Sequence, residues 1–201
     1  MASRLYLGSS SQSRQMLLRE AGIPFELVKQ SADETKCDWG MTLQQVVQQI
    51  ALYKMEHVVL PEGPEGEHCF VLTADTLTEN SKGELEGKPV DRADAINKLK
   101  KARDGVRTGT AFCLERRLYK EGAWHVDHHM TRYVQAQYQF YVPDELIDYY
   151  LTHVPVIGSG AIAIEGFGNQ FLKSIDGSYS AVVGLPMFEV RQALHDAGFS
   201  F

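Results

Sequence analysis

The chain opens on a short apolar run, Leu5-Tyr6-Leu7, followed by Gly8 and the serines Ser9, Ser10 and Ser11. Met16, Leu17, Leu18 and Ala21 then recur at helical spacing, and Gly22 and Pro24 stop the stripe. Residues 25–28 read as a second strand. Strand, Ser-rich turn, helix and strand make an α/β opening. Its turn lies at the carboxyl end of the first strand, where such folds place ligands.

Residues 31–40 are polar and read as a loop. Leu43, Val46, Val47, Ile50, Ala51 and Lys54 share one helical face, which predicts a helix over 42–58. The Pro- and Gly-rich stretch 61–68 is a surface loop by its turn chemistry. Phe70-Val71-Leu72-Thr73-Ala74 is a near-continuous apolar run of the kind buried on both faces, and it ends on Asp75. Asp91 can cap a helix reaching Ala102, with Ile96 and Leu99 inward. Residues 106–118 and 124–142 predict long strands joined by a turn at Glu121-Gly122. Pro143 suits the first turn of a helix reaching Thr152. Residues 161–164 are strand-like, and 187–197 form a final helix closed by Gly198. No linker divides the pattern, so residues 1–201 read as one domain with two lobes.

With 44% hydrophobic and 23% charged residues, the 201-residue chain can bury a core and is not of disordered composition. Its net charge of -6 argues against nucleic acid or an anionic membrane as main partner. A small anionic ligand remains compatible, because a few basic groups can converge in one cleft. Cys37, Cys69 and Cys113 are widely spaced, which fits a reduced cytoplasmic setting. The first residues carry no signal-like apolar run, and no stretch approaches the ~18 apolar residues of a membrane span.

Candidate chemistry gathers at the ends of elements. Ser9, Ser11 and Arg14 fall in the first strand-to-helix turn, where hydroxyls, helix N-terminal amides and a guanidinium suit a phosphate. A capped helix with a solvated arginine is the plainer alternative. Asp75, at the exit of a buried strand, is placed to bind a metal or take a proton from water, or simply to cap a loop. Lys88 sits in a rigid Gly87-Lys88-Pro89 turn, a place where lysines are often merely solvated. Lys54 lies on the apolar stripe, which an extended stem reaching solvent would also explain. Asp33-Glu34 is either a surface pair or a source of metal ligands. His125, Asp127, His128 and His129 hold zinc-type ligands, but adjacent strand residues such as His128 and His129 point to opposite faces. There is no Walker loop, no nucleophile elbow around Ser9-Ser10-Ser11 and no complete dinucleotide fingerprint.

Taken in order, these pieces resemble the Maf family of nucleotide pyrophosphatases over nearly the whole chain. The family's opening S-x-S-P-R-R-like turn before L-L is matched by the run from Ser9 to Leu18, its G-I-P-F by Gly22-Ile23-Pro24-Phe25, and its D-E pair by Asp33-Glu34. A-x-x-K is matched by Ala51 and Lys54, A-D-T by Ala74-Asp75-Thr76, and G-K-P by Gly87-Lys88-Pro89. The later motifs are Ile164-Glu165-Gly166-Phe167-Gly168 and Val182-Val183-Gly184-Leu185-Pro186. Three places depart from the family. Gln12 and Ser13 replace its proline and first arginine, residues 103–109 shorten its S-G-x-x-H-x-V-x-T-G stretch, and Ile157-Gly158-Ser159-Gly160 replaces its D-K-A-G.

The resemblance implies an inosine-triphosphatase-like α/β fold, with a long mixed, bent sheet, flanking helices and a nucleotide cleft between two lobes. It implies Mg²⁺ or Mn²⁺ dependence, a cytoplasmic location, a homodimer, and a link to inhibition of septum formation. It also implies hydrolysis of a nucleoside triphosphate to monophosphate and pyrophosphate. Asp75 is then general base or metal ligand, and Glu34 helps hold the metal. Arg14, Lys54 and Lys88 neutralise the phosphates, with Ser9 and Ser11 beside them. Positions aligned with Ser13, Thr76 and Glu165 bear on substrate choice. Members acting on dTTP and UTP carry arginine at the first and glutamine at the last, and those acting on 7-methyl-GTP carry tryptophan and glutamate. Serine with glutamate favours a guanine-type base, because an ionised carboxylate accepts hydrogen bonds and donates none. The alternatives are dTTP/UTP hydrolysis and a non-catalytic nucleotide-binding regulator of cell division, the latter favoured by the departures.

Overall fold

A computed structural model describes residues 3–154 and 158–201. In chain order the elements are β1 (Arg4–Leu7), α1 (Gln12–Glu20), β2 (Glu26–Leu27), β3 (Lys29–Gln30), α2 (Leu43–Glu56), β4 (Val58–Val59), β5 (His68–Asn80), β6 (Leu85–Glu86) and α3 (Arg92–Ala102). There follow β7 (Val106–Lys120), β8 (Ala123–Phe140), α4 (Ile147–His153), β9 (Leu172–Gly177), α5 (Tyr179–Val183) and α6 (Met187–Asp196).

The main sheet runs β2-β1-β5-β7-β8-β9, with β6 also on β5, and β3 and β4 form a separate pair. β1 pairs in parallel with β2 and β5, and the other pairings are antiparallel, so the sheet is mixed, as the resemblance implies. Its long strands carry a bulge between Arg116 and Arg117 and another irregularity between Gln139 and Phe140, features that bend a strand.

Strand alternation divides the core. On β5, Phe70, Leu72 and Ala74 pack with α1, α3, α4 and α6. Cys69, Val71 and Leu77 face the other way, toward residues of α2. Helices cover both faces, which is why residues 70–74 read as continuous apolar sequence. α2 begins with the Thr42–Gln45 capping box and turns Val46, Val47, Ile50 and Ala51 inward. The long β7–β8 hairpin turns at Glu121 (φ 55°) and Gly122 (φ 78°), the left-handed pair that a two-residue hairpin loop favours.

Several expectations need correction. The strand expected to end at Asp75 continues to Asn80, because β7 pairs with its whole length. Residues 25–28 supply only the two-residue β2, and Pro143 caps a 3₁₀ turn (Asp144–Leu146) before α4 begins. Residues 161–164 are not a strand. Gly160 (φ 67°) and Ala161 (φ 62°) turn the chain, and Tyr150 takes the place of a neighbouring strand: its hydroxyl donates to Ala161 O (3.1 Å) and accepts from Ala163 N–H (2.9 Å). Ile157 lies outside the described residues.

Candidate active site

β1 pairs with β5 only as far as Leu7 opposite Leu72, and β6 joins it only from Thr78 opposite Glu86. Along residues 73–77 this edge of β5 has no strand beside it among the described residues. Side chains from both faces of the sheet can therefore meet at one opening. A cleft of about 510 Å³ lies there, within the range of small-molecule sites. Its lining includes Ser9, Ser11, Ser13, Arg14, Glu34, Lys54, Asp75, Thr76, Lys88 and Glu165. Residues scattered from position 9 to position 165 thus share one surface.

From the α2 face come Lys54 and Asp75. Lys54 Nζ lies 2.7 Å from Asp75 Oδ1 and 2.8 Å from Glu34 Oε1. The Lys54 and Asp75 side chains are 8% and 9% exposed, so little solvent screens them, whereas Glu34 is 43% exposed. Lys54 is therefore not a stem reaching for water. Its ammonium stays inside and gathers two carboxylates. Asp75 Oδ2 is buried with no hydrogen-bond partner among the described residues. An unpaired buried carboxylate oxygen is costly unless a cation or donor arrives. Carboxylate oxygens from Glu34 and Asp75 also form the hard donor set that suits Mg²⁺ or Mn²⁺, which typically takes one or two carboxylates with the rest of its shell from water and phosphate.

From the opposite face comes Arg14, buried in the first turn of α1. Ser11 caps this helix, accepting from Arg14 N–H at 3.4 Å. The guanidinium donates to Gly184 O (2.8 Å), Ser9 Oγ (3.0 Å) and Thr76 Oγ1 (3.1 Å), all neutral acceptors. Burial pushes its pKa below the ordinary arginine value, while the charges of Asp75 and Glu34 pull it back up. Arg14 is not the solvated arginine of the plainer reading. It is a buried cation with no carboxylate partner among the described residues, and it faces the cleft beside the helix N-terminus. Gly184 sits at φ 131°, a conformation that favours glycine, and this turn aims its carbonyl at Arg14.

Lys88 is exposed at the cleft rim and has no ion-pair partner among the described residues. Its turn is held from behind: Ser159 Oγ accepts from Thr78 N–H at 2.8 Å and donates to Glu86 O, while Gly160 N–H donates to Gly87 O at 3.0 Å. Ser13 Oγ donates to Glu165 Oε1 at 2.9 Å across 152 residues of sequence. Thr76 accepts from Arg14 and lies 2.8 Å from Thr110 Oγ1. The aspartate of the Asp33-Glu34 pair caps its own short turn through Thr35, so only the glutamate reaches the site.

Sequence reasoning gave no role to Gly184, Ser159 or the hydroxyl ladder Thr78–Thr108–Tyr138, whose links are 3.0 and 2.8 Å. Tyr138 and Thr108 line the cleft. Alternation along β5 and β7 puts Thr78 and Thr108 on Thr76's face, but only the pairing register brings them together. The departure at Gly158 also has a steric reading. A Cβ there would lie 2.6 Å from Ile162 O, so this backbone path does not admit the lysine usual in the family. The histidine stretch does not gather as a set: Asp127 binds Arg116 (2.9 Å) and His68 (3.3 Å), and His125 contacts Lys120 O (3.1 Å).

Residues 4–197 match the family model described as Maf-like protein. Curated relatives of similar length are named dTTP/UTP pyrophosphatase. The one from Geotalea uraniireducens is 37% identical over 98% of this chain and 96% of its own. That from Colwellia psychrerythraea is 32% identical over 98% and 90%, and that from Caldicellulosiruptor bescii is 31% identical over 98% and 96%. No described helix is long and apolar enough to cross a membrane. A match running almost end to end, with seven of the family's eight separated motifs sending residues into one cleft, shows that this chain belongs to the Maf-like protein family.

Proposed function

We propose that the protein is a nucleoside-triphosphate pyrophosphatase that cleaves its substrate between the α and β phosphates with the help of a divalent metal. The observation that carries this reading is the opposition, across one cleft, of a buried Asp75–Lys54 pair joined by the half-exposed Glu34 and a buried Arg14 held, among the described residues, by neutral acceptors. Polyanionic phosphate supplies the negative charge that Arg14 and Lys88 lack. Mg²⁺ or Mn²⁺ held by Glu34 and Asp75 would supply positive charge against the phosphate oxygens. Asp75 takes a proton from the attacking water, and Lys54 fixes the orientation of its carboxylate. The water oxygen bonds to the α phosphorus, and the α–β bridging bond breaks with its electron pair on the departing pyrophosphate. Arg14 and Lys88 offset the charge that develops there. Pyrophosphate release across canonical and modified triphosphates, with each metal in turn, tests the reading. No release on any of them would leave a nucleotide-binding regulator.

Lys88→Ala should lower turnover by roughly 10²-fold, with stability changed by no more than about 0.5 kcal/mol, because an exposed turn lysine adds little to the core. Kinetics and thermal melting on the same preparation check both halves. A loss of stability with unchanged turnover would make Lys88 structural.

For the base, the reading is a guanine-type ring, and it rests on Glu165. Ser13 already donates to Oε1, so the carboxylate's remaining capacity is purely accepting. Guanine offers N1–H and an amine side by side, whereas uracil and thymine flank one N–H with carbonyls that a carboxylate repels. A second reading, dTTP/UTP, is favoured by the names of the curated relatives. Glu165→Gln decides between them. If the carboxylate reads the base, the change should shift relative kcat/KM toward uracil and thymine by about tenfold to a hundredfold, equivalent to one charge-assisted hydrogen bond of ~1.5–3 kcal/mol. An unaltered ranking of 7-methyl-GTP, GTP, dTTP and UTP removes the reason for preferring guanine.

A further inference from the structure

A group of metal-ligand side chains outside the cleft takes no part in the proposed chemistry. Cys113 and Glu115 lie two residues apart on β7, and Glu115 stands directly opposite His129 on β8. Alternation puts all three on the α2 face. Cys113 Sγ is 3.8 Å from His129 Nδ1, and His129 Nδ1 is 3.0 Å from Glu115 Oε1. One ligand atom from each residue lies within 4.8 Å of the others.

We propose that Cys113, Glu115 and His129 form a binding site for a thiophilic divalent cation of the zinc class, distinct from the hard, all-oxygen site in the cleft. Tetrahedral zinc would set its sulfur and nitrogen ligands ~3.6 Å apart and its nitrogen and oxygen ligands ~3.4 Å apart, from the usual bond lengths. These two observed separations differ from those values by a few tenths of an ångström, and the sulfur and carboxylate oxygen lie within 4.8 Å of each other. The surroundings hold the ligands in place. Arg117 binds Glu115 through Oε2 at 2.6 Å, which leaves Oε1 facing the histidine. Thr131 Oγ1 lies 3.4 Å from His129 Nε2 and steadies the ring with Nδ1 inward. Partners of this kind, one step out from the ligands, orient metal sites.

An entry route exists. β9 pairs with β8 only along residues 136–140, so among the described residues no strand lies outside His129, whose side chain is 43% exposed. The fourth position can then be taken by water. A thiolate and an imidazole select zinc or cobalt over magnesium. A thiol gives up its proton when it ligates an ion, so binding must release that proton to solvent.

Cobalt(II) is the probe, because a sulfur ligand produces a near-ultraviolet charge-transfer band that oxygen ligands do not. The reduced full chain, with excess Mg²⁺ present, should develop this band to saturation at one equivalent, with about one proton released per ion, and Zn²⁺ should displace it. Cys113→Ser should remove the band. His129→Gln, at a half-exposed ligand, should weaken Co²⁺ binding by at least the roughly 10–100-fold that even loss of an outer partner produces. Cys37→Ser is the control, since Cys37 feels the charges of Glu34 and Asp75 near the cleft, and it should leave the band intact. The site is overturned by absence of the band at saturating Co²⁺, or by a band that survives Cys113→Ser. Should Cys113→Ser fail to fold, a band unaffected by His129→Gln, or lost with Cys37→Ser, overturns it equally.

Discussion

Asp75→Asn is expected to lower turnover by about 10²–10⁴ while the protein stays folded. The amide keeps the shape of the carboxylate, and its oxygen can still accept from Lys54, now 2.7 Å from Asp75 Oδ1. Lys54 also keeps its pairing with Glu34 at 2.8 Å, so the buried ammonium is not stranded. What disappears is the negative charge and the basicity of Oδ2, the buried oxygen left without a partner. An amide nitrogen there can neither take a proton from water nor ligate a hard cation. The assay compares kcat and thermal melting for both proteins at saturating Mn²⁺. Activity within a few-fold of wild type, on folded protein, would exclude Asp75 as base.

Lys54→Met is expected to destabilise the fold by about 3–5 kcal/mol, the usual cost of removing one partner from a buried ion pair. Methionine fills much the same volume on α2, so packing is largely conserved. Electrostatics is not. Asp75 would be left buried without its cation, and Glu34, which shares Lys54 with it, would become a like-charge neighbour. Because Glu34 is partly solvated, most of the loss falls on Asp75. A divalent cation that binds the two carboxylates should restore part of the stability by mass action. Mn²⁺ should therefore raise the melting temperature of the variant more than that of wild type. Melting curves with and without Mn²⁺ measure this. A variant within about 1 kcal/mol of wild type, with no greater response to metal, would show that the stem of Lys54 matters and its charge does not.

The fold's α/β character, its long hairpin and the face of α2 were all legible in the sequence. Each follows from local periodicity or turn chemistry: the stripe through Val46, Val47, Ile50 and Ala51, the continuous run at 70–74, and Glu121-Gly122 between long strands. Residues 161–164 misled because burial there comes from Tyr150 and the flanking helices, and not from a strand ladder. Apolar sequence reports burial but does not say which neighbour provides it. Likewise β9 and α5 carry weak patterns, being short and held by contacts distant in sequence.

The sequence by itself determined which residue types were available, and their order placed the chain beside a known family. It could not determine their state. Lys54 on an apolar stripe was equally an extended stem, and Arg14 equally a solvated cap. Only the tertiary structure buried both, because Asp75 reaches the α2 face and Gly184 turns its carbonyl onto Arg14 from 170 residues away. The cleft itself is a property of pairing. It exists because β1 ends at Leu7, opposite Leu72, and β6 pairs only from Thr78, opposite Glu86, so the two faces of β5 open at a common edge. Charge identity is local to a residue, whereas desolvation and the choice of partner depend on whatever the folded chain brings within a few ångströms.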